Sequence, residues 1–291
     1  MVINSDQIRD DTQPYQSLDS KILGDNHYSH PGLSAERISF SYRTNGRYFE
    51  VFHDLNISVP RGTTFGIFGP NGVGKTTLMR SLAGMQKVNG VINFPTSDNR
   101  DTPKIGYVPQ SYAKSFYPWL TLEQNIFLSL NKPFNQLKEN RRLVRETHES
   151  LGLKLDLSKR PSQCSGGMLQ QAAIIRAIAR KPSILIADEP FSALDFDVST
   201  RVRKGFSDVI SALGICAILV LHDLQDILEV CDTVLAIPGR PYTTDDHLDG
   251  YFQAKVFTNH NRDGVLREQI EGDGNSSPFI TAIQRALGGL N

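Results

Sequence analysis

The run Gly69-Pro-Asn-Gly-Val-Gly-Lys75-Thr76-Thr77 constrains this chain more than any other stretch. It matches G-x-x-x-x-G-K-[ST], a pattern built to hold phosphates. Residues 63–68 ahead of it read as a buried strand, and residues 75–83 behind it read as a helix stopped by Gly84. Such a loop bends back so that successive backbone N–H groups point at phosphate oxygens, and the helix N-terminus adds a partial positive charge. Gly69, Pro70, Asn71, Gly72, Val73 and Gly74 would form the cradle. Lys75 would reach the β- and γ-phosphates, the Thr76 hydroxyl would ligate Mg²⁺, and Thr77 would follow in the first turn. A glycine-rich turn matching by accident does not account for the strand before it and the helix after it. The loop implies a bound nucleoside triphosphate.

Composition narrows the rest. The chain has 291 residues, room for one large domain or two modest ones. Its 31 basic residues balance its 31 acidic ones, so no whole-chain field draws it to nucleic acid or anionic lipid. The longest clean apolar run, residues 215–221, is far short of the roughly 20 residues of a membrane span. The N-terminus lacks the basic start and apolar core of a signal peptide. Three cysteines, Cys164, Cys216 and Cys231, have neither disulfide-framework nor zinc spacing. The expectation is a cytosolic protein with reduced thiols.

Taken in order, residues 1–32 are polar and lack periodicity, as in an extension or docking arm. Strands are expected at 35–42 and 54–59, joined through Arg43-Thr-Asn-Gly-Arg47 as an antiparallel pair. Two short strands, 90–94 and 104–108, follow the loop helix, and Pro109-Gln110 ends the second. The pattern then turns helical from about 111 to 165. Thr121-Leu-Glu-Gln124 forms a capping box, and a charged helix is expected over 136–151, closed by Gly152. A further helix opens at Ser165-Gly-Gly167 and runs to Ala179. The continuous apolar run 183–187 reads as a strand buried on both faces, with Asp188 and Glu189 at its end. A helix over 197–213, a strand over 215–221 ending at His222-Asp223, a short helix and a strand over 233–237 complete the pattern. Strands alternating with helices predict an α/β fold with a parallel core sheet, an antiparallel β subdomain and an inserted helical subdomain. The expected organisation is an extension (1–32), a main domain (33–240) and a C-terminal extension (241–291) carrying a short helix after Ser277-Pro278.

Asp188 and Glu189 form the second constellation. An aspartate at a strand end beside a phosphate loop can hold Mg²⁺ through water, and an adjacent carboxylate can polarise the attacking water. A pair of solvated acids at a strand terminus is the bland alternative, and the loop argues against it.

The third feature separates the families. Cys164-Ser-Gly-Gly-Met168 precedes Asp188-Glu-Pro-Phe-Ser-Ala-Leu-Asp195. With these motifs in this order, residues 33–240 resemble the ATP-binding cassette ATPases, whose signature reads Leu-Ser-Gly-Gly-Gln. The resemblance implies ATP and Mg²⁺ as ligands. Tyr42 fits the aromatic that stacks on adenine, with Tyr48 and Phe49 as rivals. Gln110 fits the glutamine that touches Mg²⁺ and links the site to the helical insertion, and Asp188 fits the metal-holding aspartate. Glu189 fits the catalytic base, and His222 the histidine that contacts the γ-phosphate. Ser165, Gly166 and Gly167 fit the helix end that meets the ATP bound by a second ATPase subunit, and Asp195 ends the stretch crossing to that subunit. Cys164 and Met168 depart from the pattern, and the cysteine is expected to weaken packing of the signature helix.

The same resemblance implies a transporter subunit. No coiled coil separates loop from signature, and one cassette is present, which excludes the chromosome-maintenance and translation members. Tyr117-Pro-Trp-Leu-Thr121, followed by Gln124-Asn125, looks like the Leu-Pro-Trp-Leu-Thr stretch of nitrate, sulfonate and taurine importer ATPases. Trp119 could instead be a core aromatic of the helical part. The expected partners are integral membrane permease subunits, a second ATPase subunit and a solute-binding protein, with no nucleic acid. The expected location is the cytoplasmic face of the inner membrane. An exporter ATPase and a non-hydrolysing nucleotide-binding regulator are the alternatives; Glu189 and His222 argue against the latter.

Overall fold

The computed structural model describes residues 32–44, 47–95, 103–130, 137–237 and 255–258. Two sheets carry the fold. In the first, β1 (Leu33–Thr44) pairs antiparallel with β2 (Arg47–Val59) on one side and with β4 (Asn89–Asn93) on the other. The strands of the pair run longer than sequence reading predicts. The extra residues include the buried Leu33, Val51 and Phe52, but bulges shift the register of the pair, so no steady two-residue period marks them.

The second sheet has the order β5-β6-β7-β3-β8-β9. It comprises β5 (Ile105–Val108), β6 (Ile184–Asp188), β7 (Cys216–Leu221), β3 (Thr64–Phe68), β8 (Thr233–Ala236) and β9 (Lys255–Thr258). The first five are parallel, and β9 adds an antiparallel edge. The two short strands after the loop helix therefore part company: β4 joins the antiparallel sheet and β5 the parallel one. Strand β9 is absent from the sequence reading, since one short run beyond Gly239 gives too little pattern to register. The expected helix after Ser277 and the expected extension 1–32 lie outside the described residues, apart from Gly32.

Residue alternation in the central strands builds two cores. Ile184, Ile186, Cys216, Ile218 and Val220 face α1 (Lys75–Leu82) and the antiparallel sheet, where they join Phe52, Leu78 and Leu82. Leu185, Ala187, Ala217, Leu219 and Leu221 face the other helices, α2 (Leu122–Ser129), α3 (Leu137–Ser150), α4 (Gly166–Ile178), α5 (Phe196–Leu213) and α6 (Leu224–Val230). Every residue of β6 and β7 is buried, as a strand covered on both faces must be. Burying each Leu, Ile or Phe contributes roughly 1.5–3 kcal/mol.

Local signals set the helix ends. Thr121 caps α2 with both arms of a capping box: Gln124 N donates to Thr121 Oγ1 at 3.2 Å, and Thr121 N donates to Gln124 Oε1 at 2.9 Å. Helix α1 stops where Gly84 takes a left-handed φ of 71°, with Met85 N bonded back to Arg80 O. Asn125, buried in α2, accepts from Tyr117 N at 2.8 Å and donates to Tyr117 O and Thr121 O. That fastens the 117–121 turn and leaves Trp119 65% exposed, its ring 5.3 Å from that of Tyr117. The core-aromatic reading of Trp119 is thereby overturned.

Candidate nucleotide site

Sheet order brings the chemistry together. Gln110 follows β5, Asp188 and Glu189 end β6, His222 follows β7, and the Gly69–Thr77 loop follows β3. These four strands are consecutive neighbours, with their C-terminal ends on one side. An open cleft of about 700 Å³ lies there, lined by the loop residues Asn71, Gly72, Gly74, Lys75, Thr76 and Thr77 together with Gln110, Asp188, Glu189 and His222. A crevice at strand C-termini is where open α/β sheets bind ligands.

The loop itself is shaped for an anion. Gly74 is the N-cap of α1 with φ 110°, and no side chain caps the helix. The first N–H groups of α1 are therefore left to a ligand. A side chain at Gly74 would run into Val51 of β2, so glycine is required both by φ and by space. Lys75 Nζ donates to Gly69 O and Pro70 O, each at 2.8 Å, which braces the loop. Burial lowers the Lys75 pKa, against the pull of Asp188 and Glu189.

Thr76 Oγ1 donates to Asp188 Oδ2 at 3.1 Å. Burial pushes the Asp188 carboxyl above its ordinary range, only partly offset by the Thr76 hydrogen bond, with Glu189 adding to the rise. A desolvated carboxylate beside a hydroxyl in a phosphate-sized cleft fits a hard divalent cation. Among the described residues, no group of three His, Cys, Asp or Glu side chains could hold a metal alone.

Glu189 is held more tightly than its neighbours. Its backbone adopts a left-handed φ of 52°, costly for a non-glycine residue. Four bonds hold that conformation: Glu189 N donates to Val220 O at 3.0 Å, and Glu189 O accepts from Gln170 Nε2 at 2.9 Å, Ser192 Oγ at 3.1 Å and Ser192 N at 3.4 Å. The side-chain oxygen Oε1 accepts from Gln110 Nε2 at 3.0 Å and lies 2.9 Å from His222 Nε2. A carboxylate oxygen only accepts, so Nε2 is the nitrogen of His222 that carries the proton.

Two residues that sequence reasoning passed over anchor this region. Gln170 of α4, fully buried, also accepts from Ala193 N at 2.9 Å, so one side chain spans the turn from Glu189 to Ala193. Arg176, further along α4, donates to Ser115 O at 2.7 Å and lies 4.4 Å from the Phe116 ring centroid. It ties α4 to the segment after Gln110, and burial lowers its pKa. The available signal was a polar side chain on an otherwise apolar helix face.

Other expected positions are placed as follows. Tyr42 OH lies 3.0 Å from Thr77 Oγ1, at the rim of the loop. Phe49 pairs with Tyr42 across β1 and β2 on the same face, while Tyr48 pairs with Arg43 on the other. Ser165 is the N-cap of α4 and accepts from Met168 N at 3.3 Å; it and Gly166 are exposed, and Gly167 is half-buried. The structure does not bring Ser165–Gly167 into the cleft of their own chain. Asp195 is the N-cap of α5 without a side-chain cap bond. Cys164 packs half-buried against the helical core, and its thiol donates to Arg160 O at 3.2 Å.

Comparison with known proteins decides the family. Residues 52–192 match the model of the ABC transporter family. An aliphatic sulfonates import ATP-binding protein of Pseudomonas syringae pv. tomato is 34% identical over 193 residues, 66% of this chain and 78% of that protein. The chain belongs to the ABC transporter family. A nitrate import ATP-binding protein of Synechocystis sp. is 31% identical over 206 residues, 69% of this chain but 30% of that longer protein. In three dimensions the ABC chain superposes on a dimeric bacterial ABC transporter cassette with a TM-score of 0.60 at 23% identity, covering 70% of this chain and 93% of that one. Parallel core, antiparallel sheet and helical part are thus the family's fold.

Proposed function

We propose that the chain is the ATP-hydrolysing subunit of a membrane importer for a small anion such as nitrate or a sulfonate. One observation carries the ATPase reading: Lys75, Thr76, Gln110, Asp188, Glu189 and His222 converge on one cleft from four adjacent strand ends. In this reading the N-terminus of α1 and Lys75 hold the β- and γ-phosphates, Lys75 turning from Gly69 O and Pro70 O as phosphate replaces them. Thr76, Asp188 and Gln110 hold Mg²⁺, which neutralises charge developing on the phosphates. Glu189 accepts the proton of the attacking water, and His222 donates its Nε2–H to the γ-phosphate. Tyr42 stacks on the adenine.

The exposed N-terminus of α4 at Ser165, Gly166 and Gly167 is a second anion-binding end lying outside the chain's own cleft, which supports its use against ATP held by a second ATPase subunit. Two ATP molecules would then bridge a head-to-tail pair that relaxes after hydrolysis. Among the described residues no helix is long and apolar enough to cross a membrane, so the chain would reach the bilayer by docking on a permease. The exposed Tyr117 and Trp119, close in sequence to Gln110, supply the docking surface, placing the chain on the cytoplasmic face of the membrane with a solute-binding protein on the far side. The named anion substrates rest on the Tyr117–Thr121 stretch and on the names of the nitrate and sulfonate relatives.

Affinity purification of the tagged chain from gently solubilised membranes, followed by mass spectrometry and Mg²⁺-dependent ATPase assay, tests this reading. A co-purifying multi-span permease with ATPase activity is the expected result. A soluble chain, or one associated with nucleic-acid proteins, would overturn transport, and uptake assays with nitrate and sulfonates would decide the substrate.

A further inference from the structure

Behind the cleft, α5 and α6 are joined by a buried ion-pair cluster to which no step above assigns a role. Arg203 of α5 has a side chain only 5% exposed. Its Nη1 donates to Asp226 Oδ1 at 2.7 Å and its Nε to Glu229 Oε2 at 2.6 Å, while Nη2 lies 3.4 Å from Thr200 Oγ1. Asp226 and Glu229 are three residues apart, on one face of α6. Gln225 Nε2 adds a bond to Glu229 Oε1 at 2.9 Å. The side chains of Arg203 and Asp226 also line a separate cavity of about 300 Å³ that opens onto Glu189 and His222.

The placement of His222 depends on α6. The residue sits between the last residue of β7 and Asp223, the N-cap of α6, whose side chain accepts from Gln225 N at 2.8 Å. Its side chain is 37% exposed, so packing alone does not fix the ring. Helix α6 has seven residues, too short to be stable by itself, and takes its position from tertiary contacts. Those contacts are apolar at Ile227 and Val230 and ionic at Asp226 and Glu229, and the forked guanidinium sets the rotation of α6 about its axis.

We propose that Arg203 is a positioning residue: by clamping Asp226 and Glu229 it holds the start of α6, and with it the His222 imidazole, in register with Glu189. The proposal rests on the ATPase reading above. It also links the middle of α5 to the histidine through α6.

The test uses full-length chain with its membrane partners for turnover, and the ¹⁵N-labelled chain for the His222 imidazole signal. Arg203→Met and the milder Glu229→Gln, at a side chain 34% exposed, are each made in the parent and in a His222→Ala background. Arg203→Met is expected to lower kcat about tenfold while the KM for ATP stays within about twofold, and to lose this effect when His222 is already alanine. Arg203→Lys, which keeps the charge but not the fork, should recover part of the loss. The hydrogen-bonded Nε2–H signal of His222 should shift or broaden in Arg203→Met and Glu229→Gln. An equal fall in kcat in both backgrounds, or an unchanged imidazole signal, would overturn the proposal and leave Arg203 a purely structural residue. Absence of turnover in the parent itself would count against the ATPase reading, and the imidazole signal would still decide the positioning role.

Discussion

His222 Nε2 stands 2.9 Å from Glu189 Oε1, and Gln110 Nε2 donates to that same oxygen at 3.0 Å. One carboxylate oxygen at the end of β6 therefore draws in side chains from beyond β5 and β7. The proposed base thus meets both the proposed γ-phosphate contact and the residue leading into the helical part through one oxygen. A γ-phosphate bound in this cleft would offer the His222 N–H an alternative acceptor to Glu189.

Replacing Glu189 with glutamine preserves size but removes the proton acceptor. Steady-state phosphate release is expected to fall by at least about 100-fold, the usual scale for a general base, while ATP binding persists. Because the bridging nucleotide is no longer cleaved, an ATP-bound dimer should accumulate on size-exclusion chromatography. Turnover at the parent rate would sink the assignment of Glu189 as base.

Asp188 yields a prediction about stability that opposes the one about activity. Burial raises its folded-state pKa, so between the unfolded and folded values the folded chain binds the extra proton. The sign follows: stability contributed by the protonated form is present at low pH and lost as pH rises through the folded pKa. At neutral pH the charged carboxylate is then a cost in the nucleotide-free chain. Asp188→Asn should raise the melting temperature of that chain and abolish the further rise that MgATP gives the parent. A variant with a lower melting temperature and an intact MgATP shift would contradict the cation-holding role.

Much of this site was legible because its motifs lie at strand ends, where a buried apolar run stops and polar chemistry begins. The run 183–187 and the acids after it gave both β6 and its charge. What could not be read is what reaches across the chain. Gln170 on an apolar helix face shows no partner in sequence, but it is the side chain that holds the Glu189–Ala193 turn. Arg176 and Arg203 are likewise ordinary helix residues in sequence and acquire partners only when α4 and α5 are packed. The separation of β4 from β5 into different sheets depended on non-local pairing with β1, which no local period records.

Ser165 caps α4 and is exposed, so its substitution separates two effects. Ser165→Ala removes the bond to Met168 N, a loss of about 1 kcal/mol in helix stability. Affinity of the isolated monomer for ATP should hold within about twofold, since the residue lies outside its own cleft, while hydrolysis by the assembled pair should drop about tenfold or more. Nucleotide titration of the monomer and turnover of the assembly check the two halves. Loss of monomer binding would place Ser165 in the chain's own site instead.

His148 gives the helical part a pH dependence that can be isolated from the catalytic groups. At the end of α3 its Nε2 accepts from Leu155 N at 3.0 Å, a bond that requires that nitrogen to be unprotonated. Burial lowers its pKa from the ordinary 6.5, while Glu149 acts weakly the other way. Between the folded and unfolded values the unfolded chain therefore binds more protons. Stability from this group is complete above about 6.5 and is lost as pH falls below it. Thermal unfolding of the parent and of His148→Gln, compared from pH 8 to 5, should show the melting temperatures converging in the acid range, because glutamine can accept the Leu155 bond without titrating. A difference between the two that stays constant across the range would show that protonation of His148 does not load the fold.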